Sequence, residues 1–188
     1  MKCSKRALNP RESARRYGRL GRRLAQLARG EDGRRVDPGG RARSISAETT
    51  FAQDEANAEA LARTLWPLCE KVAARLKQSG LAAGGVTLKL KTADFRIRTR
   101  ARRFPDPTQL ADTLYRAGRL LLESEADGAT WFRLIGIGAD ALVDSAEADL
   151  PNLFDNDGRR RRLDGAIDDI RRRHGDAAVQ LGRAIPEP

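Results

Sequence analysis

Two alternating stretches on either side of a short polar break constrain this chain more than anything else in it. In VTLKLK (86–91), Val86, Leu88 and Leu90 alternate with Thr87, Lys89 and Lys91. In DFRIRTRARRF (94–104), Phe95, Ile97, Thr99 and Ala101 alternate with Arg96, Arg98, Arg100 and Arg102. A period of two sends successive side chains to opposite faces of a strand, so both stretches read as strands. A tight connection through Thr92 and Ala93 predicts a hairpin. If Val86, Leu88, Leu90, Phe95 and Ile97 meet the core, then Lys89, Lys91, Arg96, Arg98, Arg100 and Arg102 share the other face.

The rest of the chain supplies that core. SISAETTF (44–51) alternates as a strand, and from about Asp54 to Gln78 the residues Leu61, Leu65, Leu68, Val72 and Leu76 recur at helical spacing up to Gly80. Cys69 sits beside this stripe and reads as a small packed residue. Asp106, Pro107 and Thr108 open a second helix striped by Leu110, Leu114, Ala117 and Leu121, and WFRLIGIGADALV (131–143) is the last strand. The fold class is therefore α+β, with βαββαβ order: a four-stranded antiparallel sheet, two helices on one face and the other face open. Flanking helices complete the chain. The expected divisions are a basic amphipathic helix within 1–29 (Tyr17, Leu20, Leu24, Leu27), a Gly-rich basic linker at 30–43, the sheet domain at 44–145 and a tail at 146–188.

Charge follows these divisions. The net charge of +10 conceals 14 basic and 4 acidic residues in 1–46, five Arg and one Asp in 94–103, and 3 basic and 11 acidic residues in 104–157. Such one-sidedness is the footprint of a polyanion binder, whereas a merely solvated surface would intersperse the signs. Arginine outnumbers lysine 30 to 6, which suits bidentate phosphate contacts but also follows from a GC-rich genome. No run reaches the roughly 18–20 apolar residues of a membrane span, and MKCSKRALNP has no signal-peptide core, so a cytoplasmic protein without membrane contact is expected. Cys3, Cys69 and the lone His174 are too few for a disulfide framework or a structural zinc site.

Four arginines at alternate positions span roughly 20 Å of strand and could meet several phosphates, each by two hydrogen bonds. A sheet of this kind offers no reading of base identity, so the expectation is sequence-independent backbone binding. The competing explanation is an edge strand kept from aggregating by its charge. A single-strand RNA reader of the same topology, or a ribosome-associated module, is the alternative function, weakened because Arg and Lys stand where stacking aromatics would be.

YGRLG (17–21), LARGED (27–32), RSISAETTF (43–51), VTLKLKTADF (86–95), TRARRF (99–104) and RLIGIG (133–138) occur in an order that closely resembles the C-terminal part of bacterial Y-family DNA polymerases of the DNA polymerase IV type, from about Arg11 to Arg183. The resemblance implies the end of a thumb followed by a little-finger domain lying along duplex or primer-template DNA, in translesion synthesis and DNA repair. It implies that Arg43, Ser44 and Arg100 line the DNA backbone. DLPNLF (149–154) resembles the family's sliding-clamp motif, with Asp149 in place of the usual leading Gln and Leu150, Leu153 and Phe154 as anchors. An extended acidic segment with paired hydrophobes suits a partner's pocket, and a terminus packed on its own domain is the alternative. In RRRRLDGAIDDIRRRHG (159–175), Leu163, Ala166, Ile167 and Ile170 form a helical stripe.

The same resemblance places the palm, with the carboxylates that would hold magnesium, upstream of Met1. No catalytic residue, metal site or cofactor is therefore expected in the chain, which is expected to be a monomer and by itself not to polymerise DNA. Truncated, frameshifted and stand-alone gene products all remain open at this point, as do lesion preference and the effect of the missing Gln on clamp binding.

Overall fold

The computed structural model describes residues 10–35, 40, 42–149, 157–175 and 177–182, without the side chains of 10–13 and 157. The chain separates into two compact units, Met1–Arg41 and Ala42–Pro188. The first contains helix α1 (Pro10–Leu27), broken by a non-helical Gly18 at φ 54°. Its expected stripe of Tyr17, Leu20, Leu24 and Leu27 is exposed.

The second unit has β1 (Ile45–Glu55), α2 (Ala58–Gln78), β2 (Leu81–Thr92), β3 (Ile97–Thr108), α3 (Ala111–Glu123), β4 (Phe132–Asp144) and α4 (Asp157–His174). The strands form one antiparallel sheet in the order β1-β4-β2-β3. This is the expected α+β sheet with helices. β4 lies between the parallel pair β1 and β2, and β2 lies between β3 and β4, so each crossover helix bridges one intervening strand.

Leu61, Leu65, Val72 and Leu76 of α2 and Leu114 and Leu122 of α3 bury against Val86, Leu88 and Leu90 of β2 and Ile135, Ile137 and Ala139 of β4. Burial of Cys69 pushes its thiol well above the ordinary value, with Glu70 adding to the effect, so the packed reading of that cysteine holds. Asn57 caps α2, its side chain accepting from the Ala60 amide at 2.9 Å. That cap starts the helix later than the apolar spacing suggested.

The second helix also starts later. Thr108 still pairs with Ala83 in the sheet, and its hydroxyl donates to Asp149 at 2.6 Å while accepting from the Leu110 amide at 3.1 Å. Those bonds hold 106–108 at the end of β3, so α3 opens at Ala111. Of the tail's apolar stripe only Ile167 is buried, while Leu163 and Ile170 stay exposed. α4 is held mainly by polar contacts: Lys77 pairs with Asp164 and Asp168, and Arg171 with Glu70 at 2.8 Å.

Candidate nucleic-acid interface

The β2–β3 register overturns the expected placement of the arginines. Leu88 lies opposite Arg100, Leu90 opposite Arg98 and Val86 opposite Arg102. Residues directly opposed across an antiparallel pair share a face. Arg98, Arg100 and Arg102 therefore stand on the helix side of the sheet, and Ile97, Thr99, Ala101 and Arg103 stand on the open side with Lys89 and Lys91. Phe95 and Ile97 are not core residues, both being 60% exposed.

The cause lies in the connection, which is longer than Thr92 and Ala93 alone. Five residues, 92–96, separate the paired Lys91 and Ile97. Within them the Thr92 amide donates to the Arg96 carbonyl at 2.9 Å, the Phe95 amide to the Thr92 carbonyl at 2.9 Å, and the Arg96 amide to the Thr92 hydroxyl at 3.1 Å. Phe95 takes φ 68° to close the turn. The Thr92 hydroxyl donates to Asp94 and holds that carboxyl below its ordinary value, against slight desolvation, with the charge of Arg96 assisting.

β3 is an edge strand, and its helix-side arginines are only partly covered. Long cationic stems can lie over such a rim with their heads toward water. Glu125, just after α3, has a side chain 6% exposed and pairs with Arg98 at 3.2 Å and Arg100 at 2.5 Å. Arg96 is exposed and paired with Asp94 at 2.9 Å.

The open face has a different character. Across its middle, Glu48, Gly136, Lys89 and Thr99 stand in one row, and Ser46, Gly138, Thr87 and Ala101 in the next. Two glycines in adjacent rows leave a shallow trough of about 320 Å³ lined by Ser44, Ser46, Glu48, Thr87, Lys89 and Thr99 among others. A Cβ at Gly136 would lie 2.7 Å from the Glu48 Cβ, and one at Gly85 2.6 Å from Asp140 Oδ1. The strands thus approach closely because side chains are missing; Gly85 and Gly136 are themselves buried, and Gly138 is the partly exposed part of the floor.

In this state the trough's cations are paired within the domain. Lys89 Nζ reaches Glu48 at 2.7 Å, across Gly136, and Arg103 reaches Asp140 at 3.3 Å, while the Thr87 hydroxyl donates to Asp140 at 2.7 Å. Exposed pairs of this kind are worth about 0–1 kcal/mol, so a phosphate can displace the carboxylates readily. The structure therefore gathers Ser44, Lys89 and Lys91 on the open side, with Arg43 exposed in the chain just before β1. It sets Arg98, Arg100 and Arg102 along the rim behind. Sequence reasoning missed Arg103, Thr87, Thr99 and the glycine floor. The alternation of Gly136 and Gly138 with Ile135 and Ile137 already carried the signal for that floor.

Of the clamp-motif residues only Asp149 is described; Leu150, Leu153 and Phe154 lie outside the described residues. Asp149, at φ 50°, accepts from Thr108 and from the Gln109 amide at 2.9 Å, so both carboxylate oxygens bond to its own domain. His174 is exposed, as expected of a surface residue. Among the described residues, no helix is long and apolar enough to cross a membrane.

An open-faced α+β sheet with a glycine-floored trough and cationic margins defines the class of module. Residues 42–151 match the impB/mucB/samB family C-terminal domain, and the chain belongs to that family. It is 53% identical over 169 residues to DNA polymerase IV 1 of Mesorhizobium japonicum, covering 89% of this chain and 38% of the relative. It is 48% identical to DNA polymerase IV of Brucella melitensis (88% and 37% covered) and 46% identical to that of Caulobacter vibrioides (92% and 42% covered). The expected likeness to Y-family enzymes of the DNA polymerase IV type is borne out, and the chain spans about two fifths of these relatives. Among solved structures, an insertion ternary complex of Dbh DNA polymerase aligns at TM-score 0.49 and 16% identity, covering 72% of this chain and 39% of that one. The RNA-reader alternative finds no support in these matches.

Proposed function

We propose that this chain holds duplex DNA by its sugar-phosphate backbone, without reading sequence, as the little-finger module of a translesion DNA polymerase acting in damage tolerance. The glycine-floored trough carries the reading. Hydroxyls (Ser44, Ser46, Thr87, Thr99), a lysine and the partly exposed main chain at Gly138 converge there. Arg43, Lys89 and Lys91 supply charge around it, and Arg96, Arg98, Arg100 and Arg102 form a second bank along the β3 rim. Contacts from these groups to phosphate and sugar would position the duplex without specifying its sequence.

About five phosphate contacts predict a log–log salt slope near −4 to −5 for duplex binding. Fluorescence anisotropy from low to moderate salt measures it. A slope near zero, or tighter binding to single-stranded RNA of the same sequence, would sink the reading. The sequence of segment 149–154 supports a second contact, to a sliding clamp, through Leu150, Leu153 and Phe154, following Asp149, which is anchored to the β3–α3 joint. Phe154→Ala should abolish co-elution with the clamp, and a wild-type chain that never co-elutes rules that contact out.

A further inference from the structure

We propose that the tip of the β2–β3 hairpin is a stacking platform for an unpaired nucleotide, the single-stranded continuation of a duplex lying in the trough. It rests on the DNA-holding reading above and assigns a different part of the DNA to a different part of the domain.

Phe95 is 60% exposed and sits at φ 68°, a backbone region bulky residues seldom occupy. The hydrogen bonds of the 92–96 turn keep it there, and no burial of the ring compensates. Strained, exposed positions of this sort concentrate where a ligand is met.

Two cations from different strands lie over the ring, where an incoming base would displace them toward its own phosphates. Arg133 Cζ is 4.1 Å and Lys91 Nζ 4.7 Å from the centroid. Ile97, the next open-face residue on β3, is equally exposed, and Trp131, whose carbonyl accepts from the Ala93 amide at 2.9 Å, is exposed as well. Aromatic faces beside cations are what single-strand sites use: bases stack on the rings while the cations meet phosphates. Bases inside a duplex are already covered by their neighbours, so this ring can take an unpaired base or the last base of a duplex end, and the overhang probes separate the two.

The position fits. Lys89 borders the trough and Lys91 lies two residues further along β2, about 7 Å away, close to one nucleotide step. The cations that would disfavour a basic peptide complement a phosphate chain leaving the trough.

The test uses the full chain and three probes sharing one duplex: blunt, with a 5′ overhang and with a 3′ overhang of five nucleotides. Wild type should bind one overhang about 5- to 140-fold more tightly than the blunt duplex, the range expected for one stacked base. A 2-aminopurine at the first unpaired position should change fluorescence on binding. Phe95→Ala should erase the overhang advantage and the 2-aminopurine signal while leaving blunt-duplex affinity within about twofold, and Phe95→Tyr should retain both. If the alanine variant does not fold, Phe95→Gly, which removes the ring and suits positive φ, carries the test. An overhang advantage absent in wild type, or one persisting without the ring, overturns the proposal while blunt-duplex binding leaves the parent reading standing. Loss of blunt-duplex binding with a Phe95-dependent overhang advantage would sink the parent reading alone, and no binding to any probe would sink both.

Discussion

β2 and β3 are hydrogen-bonded neighbours with the same period of two, yet the alternation means opposite things in them. In β2 the apolar residues Val86, Leu88 and Leu90 are buried and the polar ones face the open side. In β3 the apolar Ile97 is on the open side and Arg98, Arg100 and Arg102 are on the helix side. β2 has a strand on each flank, so its inward row must be apolar. β3 has a neighbour on one flank only, and at that rim arginine stems and one acid, Glu125, do what a hydrophobic row does elsewhere. Alternation identifies a strand; its connection and position in the sheet decide which side is inside.

The sharpest way to break this contrast is to truncate two residues that face each other across the pair. Leu88→Ala removes a fully buried side chain and should cost about 2–5 kcal/mol in denaturant unfolding. Arg100→Ala, directly opposite, should cost about 1 kcal/mol or less, because its guanidinium is half-exposed and its partner Glu125 keeps Arg98. In DNA binding the order should reverse, with Arg100→Ala weakening affinity several-fold and lowering the salt slope by about 1. Equal stability losses from the two truncations would show that the β3 rim is core after all.

A smaller effect separates two positions on the open face of β4. Gly136→Ala brings a Cβ to 2.7 Å from Glu48 Cβ, whereas Gly138→Ala meets Ser46 Cβ at 3.4 Å, an ordinary contact. The first should cost about 1–3 kcal/mol and the second less than about 1 kcal/mol. Both should reduce duplex affinity if the main chain at the trough is what DNA approaches. An affinity unchanged in Gly138→Ala would move the DNA contact off the trough and onto the β3 rim.

The α+β fold was legible because four strands and two helices each carry an unambiguous period, and Leu61 through Leu76 and Ile135 through Ala139 fall where periodicity puts them. Helix starts were less so: Asn57 and the Thr108–Asp149 contact set them, and the latter joins residues forty-one positions apart. The face of β3 was misread because a row of arginines looks like an outward row. Nothing in local sequence announces that Glu125, far along the chain, will pair with two of them. The candidate site was half legible: Lys89 and Lys91 lie on the open face as expected, while Arg103 reaches it only through a five-residue turn whose length the sequence does not state.

The smallest effect tests the turn itself. Asp94 is exposed, and its carboxyl is held below the ordinary value near 3.8, chiefly by the Thr92 hydroxyl and then by Arg96. With the folded value lower than the unfolded one, its contribution is present above the unfolded value and is lost as pH falls through the folded one. Asp94→Asn should therefore lower the melting temperature slightly near neutral pH, and the gap to wild type should narrow as pH falls below the ordinary carboxyl value near 3.8. The β2 row has no carboxylate of this kind, so Leu88→Ala should show a gap that does not change with pH. If the Asp94→Asn gap also stays constant with pH, the side chain holds the turn by shape alone. The β3 register would then depend on the Thr92–Arg96 and Thr92–Phe95 backbone bonds, with no help from charge.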